Sequence, residues 1–214
     1  MKYIIMCGGK YDGWEQPKQL TRIKGETVVG RTIRQLRENG VDDIAITTDD
    51  SRFKQFNVPL LHHDNYWEVH KDWSNDGYWV NCFYPTDDPV CYLLGDVIFS
   101  NAAIKKIVET ETDSIEYFAS APPFAKNYCK PYAEPFAFKV VNTKYFHYCI
   151  AQVKKFNERQ LFGRHPIAWE LWQVIKSTPL NVIDYTNYTV INDYTCDIDS
   201  AYDVRKIEER MEWD

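Results

Sequence analysis

Short apolar runs alternate with an amphipathic stretch along the first part of the chain, which is the pattern of an α/β sheet. Residues 3–6 and 43–47 are brief apolar runs that predict strands. Residues 27–39 between them predict a helix, because their apolar side chains recur on one helical face. The run at 90–94 is apolar throughout, as is typical of a strand in the middle of a parallel sheet. The order strand, helix, strand predicts a parallel crossover.

The rest of the chain continues the mixture of strands and helices. Further strands are predicted at 58–62, 114–120, 134–141 and 188–191, and helices at 101–110, 142–156, 165–176 and 200–212. The last helix begins with Ser200 and Asp203 in the pattern of a capping box. The strands at 114–120 and 134–141 flank a loop with proline, aromatic and basic residues, so we expect them to form a small β-rich lobe. The pattern predicts one α/β domain with a mixed, mostly parallel sheet.

Composition and charge narrow the functional classes. The chain has 214 residues and a formal net charge of -6, and its basic residues form no block, which argues against nucleic acid as a partner. No apolar run reaches the roughly 18 to 20 residues that a membrane helix requires, and the first residues do not resemble a signal peptide. The six cysteines are scattered without a Cys-x-x-Cys pair. We therefore expect a cytoplasmic protein with reduced thiols and neither a membrane nor a nucleic-acid partner.

The loop after the first predicted strand carries glycine and lysine in the arrangement of a phosphate-binding turn. It begins with Cys7-Gly8-Gly9-Lys10 and continues to Pro17-Lys18. Two glycines let the backbone approach an anion closely, and Lys10 and Lys18 add positive charge to the same loop. A triphosphate cradle is the functional interpretation, and a simple tight turn is the alternative. Neither a Walker loop nor the dinucleotide-binding glycine motif occurs in the sequence.

Carboxylates follow at two other strand ends. Asp96 comes directly after the apolar strand at 90–94, where a carboxylate is costly unless a cation pairs with it, so Asp96 is a candidate Mg²⁺ ligand. Asp197 and Asp199 are alternate residues of an extended stretch and therefore point the same way, which allows both to face one metal ion. The alternative interpretations are a surface turn for Asp96 and helix capping for Asp199.

Taken together, these motifs resemble the nucleotidyltransferases of the GT-A-like fold, which couple a nucleoside triphosphate to a sugar phosphate or an alcohol phosphate. Phosphocholine cytidylyltransferases are among them. The resemblance covers residues 1–100 and 190–210, and it implies a three-layer, Rossmann-related sheet with helices on both faces. The motifs that carry it are the Gly-Gly loop with Pro17-Lys18-Gln19-Leu20, Ile23-x-Gly25-Glu26-Thr27, the turn from Gly40 to Ile44, Leu94-Gly95-Asp96 and Asp197-Ile198-Asp199-Ser200-x-x-Asp203-Val204. One departure is the loop arginine of the family, which this sequence lacks.

The resemblance implies a role for each matching residue. Lys18 and Lys10 would be the catalytic residues, because their charge would stabilise the phosphates. Asp96, Asp199 and Asp197 would hold Mg²⁺. The implied nucleotide site consists of Cys7, Gly8, Gly9, Lys10, Lys18, Ser74, Asn75 and Asp96.

Four basic residues are candidates for binding the phosphorylated acceptor. Lys130 and Lys139 belong to the predicted β-rich lobe, and Arg164 and His165 precede a predicted helix. An ordinary helix start near Pro166 is the alternative for the last two. Within the single domain, we assign nucleotide binding to 1–110, acceptor binding to 111–190, and the metal-ligand strand end with the C-terminal helix to 191–214.

The expected activity is Mg²⁺-dependent transfer of a nucleotidyl group, with CTP favoured, from a nucleoside triphosphate to a phosphorylated sugar, alcohol or phosphonate, with release of pyrophosphate. Surface-polysaccharide or glycoconjugate biosynthesis is the expected context, and a homodimer is one expected assembly. Two alternatives stay open. A glycosyltransferase of the GT-A fold would use Asp197-Ile198-Asp199 as its D-x-D motif, and a catalytically silent nucleotide-binding module would account for the missing arginine.

Overall fold

The computed structural model describes residues 1–8, 14–62, 79–124 and 130–210. Its strands are β1 (Lys2–Met6), β2 (Arg22–Ile23), β3 (Glu26–Thr27), β4 (Ile44–Thr47), β5 (Leu60–Leu61), β6 (Val90–Leu94), β7 (Val97–Ile98), β8 (Ile115–Ser120), β9 (Pro135–Val140), β10 (Thr189–Ile191) and β11 (Cys196–Asp197). Its α-helices are α1 (Val28–Glu38), α2 (Asn101–Glu109), α3 (Thr143–Glu158), α4 (Ala168–Lys176) and α5 (Ala201–Arg210). Short 3₁₀ turns occur at Lys18–Leu20, Ser51–Phe56 and Trp79–Cys82.

Seven of the strands form one central sheet in the order β10-β8-β9-β6-β1-β4-β5. Strand β1 pairs in parallel with β4 and β6, β4 pairs in parallel with β5, and β10 pairs in parallel with β8. Strand β9 runs antiparallel to both of its neighbours, β6 and β8. The predicted mixed, mostly parallel sheet is thus confirmed, and the carboxyl ends of β1 and β6 lie side by side, with Met6 opposite Leu94.

The two strands expected to form a β-rich lobe are present, but they belong to the central sheet. Strand β9 pairs with β6 from Val90 opposite Val140 to Leu93 opposite Ala137, and with β8 on its other side. Both strands are almost entirely buried. The apolar residues of these strands therefore extend the main core rather than a separate one, because both faces of the sheet are covered at this position.

Helices cover both faces of the sheet, as the three-layer prediction requires. Alternate residues of a strand point to opposite faces, and Ile5 packs in one apolar cluster with α1 and α2, whereas Ile4 packs in another with α3 and α4. Among the described residues, Trp169 of α4 is the largest of the fully buried side chains. None of the helices in the described parts of the chain has the length and apolar character needed to cross a membrane.

Two helix starts show how local sequence sets the element boundaries. Helix α5 begins with the predicted capping box, in which Ser200 N–H donates to Asp203 Oδ2 at 2.9 Å and Asp203 N–H donates to Ser200 Oγ at 3.3 Å. Helix α4 begins at Ala168, three residues later than predicted, because the Glu170 side chain accepts the N–H of Ile167 at 2.9 Å and ends the preceding loop there.

Candidate active site

The turn after β6 brings Asp96 to the edge of the sheet beside the end of β1. Gly95 N–H donates to the carbonyl oxygen of Met6 at 3.0 Å. A Cβ atom on Gly95 would collide with that oxygen and would lie 2.7 Å from Cys7 Sγ, so the close approach of the two strand ends requires glycine. Asp96 is the next residue, and its side chain is 24 % exposed.

A short antiparallel ladder places the late aspartates beside Asp96. Strand β11 pairs with β7 so that Asp197 lies opposite Val97, and Ile198 N–H donates to the carbonyl oxygen of Asp96 at 3.0 Å. The segment containing Asp197 and Asp199 therefore runs alongside the turn that carries Asp96. These few backbone contacts bring together residues that are far apart in the sequence.

Lys18 completes the first half of the site. It opens the 3₁₀ turn Lys18–Leu20 directly after Pro17, and the turn is closed by Leu20 N–H donating to Pro17 O at 2.8 Å. The Lys18 ammonium Nζ lies 2.5 Å from Asp96 Oδ2 and 3.4 Å from Asp199 Oδ1. The structure thus brings together the lysine of the first loop and the two carboxylates predicted at other strand ends.

Lys130 forms the centre of the second half. Its Nζ lies 2.9 Å from Asp199 Oδ2, 3.1 Å from Asp203 Oδ2 and 3.4 Å from Asp197 Oδ1, and its side chain is only 8 % exposed. The hydroxyl of Tyr132 donates to Asp199 Oδ2 at 3.0 Å, and the Lys130 ammonium lies 5.7 Å from the centre of the Tyr132 ring. Asp199 therefore bridges the two lysines.

The carboxylates keep both ammonium groups charged. Burial lowers the pKa of Lys18, but the charge of Asp96 and the hydrogen bond to it, with help from Asp199 and Asp197, raise that pKa above its ordinary value. Burial also lowers the pKa of Lys130, and the charge of Asp197 with the hydrogen bonds to Asp199 and Asp203 outweighs that effect. Both lysines are consequently fixed positive charges in the site.

The aspartates differ in how their charge is stabilised. Burial raises the pKa of Asp199, but Lys130 and Lys18 lower it by a larger amount, so the net shift is downward. The pKa of Asp197 is raised to about 6, because burial and the charges of Asp96 and Asp199 outweigh a hydrogen bond with Glu134 and the charge of Lys130. Asp199 is therefore a stable carboxylate, whereas the charged form of Asp197 is disfavoured by burial among like charges.

A cleft of about 390 Å³ opens over these carboxylates. The rings of Trp169 and Tyr185 meet at one side of it, with centroids 4.8 Å apart and planes at 80°. Arg164 reaches its rim. The lining combines Trp79, Tyr132, Trp169 and Tyr185 with Asp96, Glu134, Asp197 and Asp199. The cleft has the size and mixed polarity of a small-molecule site.

The structure describes only part of the predicted nucleotide site. Cys7 and Gly8 follow β1 at the same sheet edge. Cys7 is fully buried, and burial with the charge of Asp96 raises the pKa of its thiol. Cys7 thus contributes backbone and packing rather than a reactive thiolate. Gly9, Lys10, Ser74 and Asn75 lie outside the described residues.

The acceptor candidates separate into different places. Lys130 joins the carboxylates and Arg164 lines the cleft, although the Arg164 guanidinium is already paired with Glu170, with Nε 2.5 Å from Oε1. His165 follows Arg164 but is not among the residues that line the cleft, and within the described residues its Nε2 is buried without a hydrogen-bond partner. A contact at the start of α4 therefore accounts for the position of the Arg164 guanidinium, and His165 lies outside the cleft lining.

The prediction that Lys139 contacts the acceptor requires a correction, because its side chain stabilises the fold. Its Nζ donates to the carbonyl oxygens of Ile107, Val108 and Thr110, at 3.0, 2.9 and 2.6 Å, at the C-terminal end of α2. Strand β9 runs antiparallel to β6, so Lys139 lies opposite Cys91, toward the start of β6, whereas the cleft lies at its end. Lys139 therefore satisfies helix carbonyls and does not line the cleft.

Sequence reasoning missed several residues of the site, and three of them lie beside its charged groups. The sequence pattern assigns Asp203 to helix capping, yet its Oδ2 also binds Lys130. Tyr132 and Glu134 line the cleft two and four residues after Lys130. Residues 131–132 form a bend, so the two-residue spacing after Lys130 does not imply a shared face and gave no signal for these residues.

The donor atoms suit a divalent cation of the Mg²⁺ type, which prefers oxygen ligands. Asp197 Oδ1 is buried and accepts no hydrogen bond within the described chain, and its partner there is the Lys130 ammonium at 3.4 Å. The two lysines occupy the space among the carboxylates, and across the described ranges no three His, Cys, Asp or Glu side chains are already gathered as a metal cage. The carboxylate oxygens suit a divalent cation as ligands. The ammonium groups of the two lysines already lie among them.

Comparisons with known proteins agree with this architecture. No protein-family model matches the chain, and no curated protein is significantly similar in sequence. A solved structure of a putative glucose-1-phosphate thymidylyltransferase from Bacillus anthracis is 15% identical with a TM-score of 0.55, covering 100% of this chain and 97% of that one. The protein Rv0371c from Mycobacterium tuberculosis is 15% identical with a TM-score of 0.55, covering 97% of each chain.

A third solved structure is the CTP:phosphocholine cytidylyltransferase of Streptococcus pneumoniae, which is 16% identical with a TM-score of 0.50 over 97% of each chain. All three matches extend over nearly the whole length of both proteins, so they concern the complete sheet and its helices rather than a fragment. The chain therefore has the fold that these three proteins share, two of which are a thymidylyltransferase and a cytidylyltransferase by name.

Proposed function

We propose that this protein is a nucleotidyltransferase, which moves a nucleotidyl group from a nucleoside triphosphate to a phosphorylated acceptor and releases pyrophosphate. One observation carries the proposal: Lys18 Nζ lies 2.5 Å from Asp96 and 3.4 Å from Asp199 at the carboxyl edge of a parallel sheet. Ligands of open parallel sheets bind at that edge. A lysine from the first loop beside two carboxylates supplies the charge that transfer at a phosphate requires.

The proposed chemistry needs position and charge more than a proton acceptor. The second pKa of a phosphate monoester is about 6, so an acceptor phosphate is mostly ionised near neutral pH and attacks the α-phosphorus as an anion. The bond from the α-phosphorus to the bridging oxygen breaks as the new one forms, and the pyrophosphate leaves with the electron pair. Lys18 is placed to stabilise that leaving charge, and Lys10, from the same loop, is proposed to assist it.

Asp96 and Asp199, with Asp197, are the residues that would hold Mg²⁺. The bound cation would supply neutralising charge to the triphosphate. The related Mycobacterium tuberculosis protein was solved in a complex with manganese, in a structure that is 16% identical to this chain with a TM-score of 0.50. That match supports a divalent cation in this fold, and the oxygen ligands favour Mg²⁺ here.

The acceptor is proposed to bind in the cleft beside Lys130. Lys130 is buried and permanently charged, and it contacts the same Asp199 that Lys18 contacts, so an acceptor phosphate at Lys130 would lie next to the nucleotide phosphates. Arg164, at the rim, is a second candidate contact. CTP remains the favoured nucleotide from the resemblance. Ser74 and Asn75 remain candidates for the base or ribose, and a cytoplasmic homodimer acting in glycoconjugate biosynthesis remains the expected context.

Pyrophosphate release tests the proposal directly. We would assay CTP, UTP, GTP and ATP with Mg²⁺, each against phosphorylated sugars, alcohols and phosphonates, and expect turnover with one nucleotide and one acceptor class. Release of a nucleoside diphosphate from a nucleotide sugar, without pyrophosphate from any triphosphate, would instead identify the glycosyltransferase alternative.

The same substitution at two lysines, one in the site and one outside it, tests the role of charge with a matched control. Substitution Lys18→Met should lower turnover by about 10²- to 10³-fold, the effect of removing one preorganised charged donor from a transition state. Substitution Lys105→Met removes an exposed lysine whose pairing with Glu109 lies on the surface of α2, so turnover should not change. Equal turnover of Lys18→Met and an active parent would contradict the proposed role of Lys18. Background turnover in both would favour the silent-module alternative.

A further inference from the structure

One oxygen of Asp203 accepts an unusual number of donors. Asp203 Oδ2 receives Ser200 N–H at 2.9 Å, Ser200 Oγ–H at 3.0 Å, Asp199 N–H at 3.1 Å and the Lys130 ammonium at 3.1 Å. The side chain is 13% exposed. The first three donors lie within four residues of Asp203 and belong to the start of α5, whereas Lys130 lies 73 positions away in the sequence.

Helix capping accounts for the local donors but not for Lys130. A capping box needs the reciprocal bonds between Ser200 and Asp203, and both are present. Lys130 adds a contact from a different part of the chain, directly before the Pro131 turn that leads to the cleft-lining Tyr132 and Glu134. The carboxylate that caps α5 is therefore also the anchor for a lysine of the proposed acceptor site.

A fixed anchor matters for a lysine because its side chain is long and flexible, and ordering it on binding costs conformational entropy. Of the three carboxylates around Lys130, Asp203 is the least exposed, at 13% against 24% for Asp197 and 49% for Asp199. Its Oδ2 is also held by the backbone N–H groups of Ser200 and Asp199, which a change of the Ser200 side chain leaves in place. Asp203 thus offers Lys130 the most rigid of its partners.

We infer that Asp203 is a positioning residue that holds the Lys130 ammonium in place for an acceptor phosphate. The inference rests on the proposed function, because it assigns Lys130 to the acceptor. It assigns Asp203 no contact with substrate. The helix start and the acceptor site are thereby joined through one carboxylate oxygen.

The test compares Asp203→Asn with Ser200→Ala. The asparagine keeps an oxygen for the N–H groups of Ser200 and Asp199 but loses the charge that attracts Lys130. We expect Asp203→Asn to raise the KM for the acceptor about tenfold, the factor that one charge-assisted hydrogen bond of about 1.4 kcal/mol represents, with the KM for the nucleotide unchanged. Ser200→Ala should lower Tm by a few degrees through the lost cap and leave the acceptor KM unchanged.

A double-mutant cycle shows whether Asp203 acts through Lys130. In a Lys130→Met background, Asp203→Asn should have no further effect on the acceptor KM. A tenfold increase in that background would overturn the inference, because Asp203 would then act elsewhere. An acceptor KM raised equally by Ser200→Ala and Asp203→Asn would overturn it as well, since loss of the cap would explain both.

A second readout does not depend on turnover. Lys130 should react faster with a reductive-methylation reagent in Asp203→Asn than in the parent, as followed by mass spectrometry, and at the parent rate in Ser200→Ala. If the parent releases no pyrophosphate with any substrate pair, the proposed function fails and the lysine reactivity still decides whether Asp203 anchors Lys130. If turnover is present but neither KM nor reactivity changes in Asp203→Asn, the inference fails and the proposed function stands.

Discussion

At the scale of single residues, the site is a balance of opposite charges in a partly buried place. Four aspartates surround two lysines, and each lysine contacts at least two of the carboxylates. Removing one partner from such a cluster leaves the others without compensation, which is more costly than the pairing itself is stabilising. The aspartate with the weakest compensation is Asp197, because burial and neighbouring carboxylates raise its pKa to about 6.

The raised pKa of Asp197 predicts how the free energy of unfolding depends on pH. Its pKa is about 6 in the folded chain against an ordinary value of 3.8, so the folded chain holds this proton more tightly than the unfolded chain does. The stabilisation from this group is full below about pH 4 and is lost as the pH rises through about 6. We expect Asp197→Asn to raise the unfolding free energy at about pH 8, by at most about 3 kcal/mol, and to change it little at about pH 4.

Urea unfolding of the parent and of Asp197→Asn at the two pH values checks this prediction. Asp203→Asn serves as the control with the opposite sign, because burial raises the Asp203 pKa but Lys130 and Ser200 lower it by more. The Asp203 carboxylate therefore stabilises the fold at neutral pH, and Asp203→Asn should lower the free energy of unfolding at about pH 8. A destabilising Asp197→Asn at that pH would contradict the account of Asp197.

At the scale of elements, the site depends on how closely two strand ends approach. The carboxyl ends of β1 and β6 are joined by the bond from Gly95 N–H to Met6 O, and the ladder of β7 with β11 continues directly from that turn. The same turn carries Asp96. A shift of the turn would therefore move Asp96 relative to both Lys18 and Asp199.

Gly95→Ala tests this dependence. The added methyl group would overlap the Met6 carbonyl oxygen and crowd Cys7 Sγ, so we expect a loss of about 1–3 kcal/mol in the free energy of unfolding, together with weaker divalent-cation binding. Gly163→Ala is the matched control, since no described atom lies within 4 Å of the place its methyl group would take, and its effect should stay within about 0.5 kcal/mol. Equal unfolding midpoints for the two variants would show that the strand ends tolerate separation.

At the scale of the whole molecule, the three layers hold two groups of charges at one sheet edge. One group is Lys18 with Asp96, and the other is Lys130 with the carboxylates that surround it. Lys18 and Asp96 follow β1 and β6 in the middle of the sheet, whereas Lys130 precedes β9, the antiparallel neighbour of β6. Because β9 runs in the opposite direction, its beginning lies at the edge where the parallel strands end. The reversal of one strand thus places the acceptor candidate next to the nucleotide candidate.

Ligand binding should then stabilise the entire fold. A nucleotide with Mg²⁺ at about a hundred times its Kd adds about 2.7 kcal/mol, which corresponds to an increase in Tm of about 5–10 °C for a chain of this size. A thermal-shift series of the four nucleoside triphosphates, with Mg²⁺ and with a chelator, measures it. We expect one nucleotide to give the shift and the chelator to abolish it. No shift with any of the four would contradict the nucleotide assignment.

Part of the site was predictable because its signals are local. A buried apolar strand followed by Gly95-Asp96 predicts a carboxylate at a sheet edge, and Pro17-Lys18 predicts a fixed positive charge after the first strand. The parallel crossover then requires that these strand ends share one edge. The meeting of Lys18 and Asp96 follows from local sequence and the geometry of parallel strands.

Other features are matters of tertiary structure. Lys130 and Lys139 are equivalent candidates in the sequence, yet one joins three carboxylates while the other fills the carbonyl end of α2. The difference arises from the antiparallel direction of β9, which no local pattern specifies. Asp203 likewise has the pattern of a helix cap, and only the fold brings Lys130 to it. The sequence by itself determined the strands of the central sheet, the five α-helices and the chemistry at the parallel strand ends. Long-range packing added the short outer strand pairs and decided which charges face each other, since both depend on contacts between segments far apart in the chain.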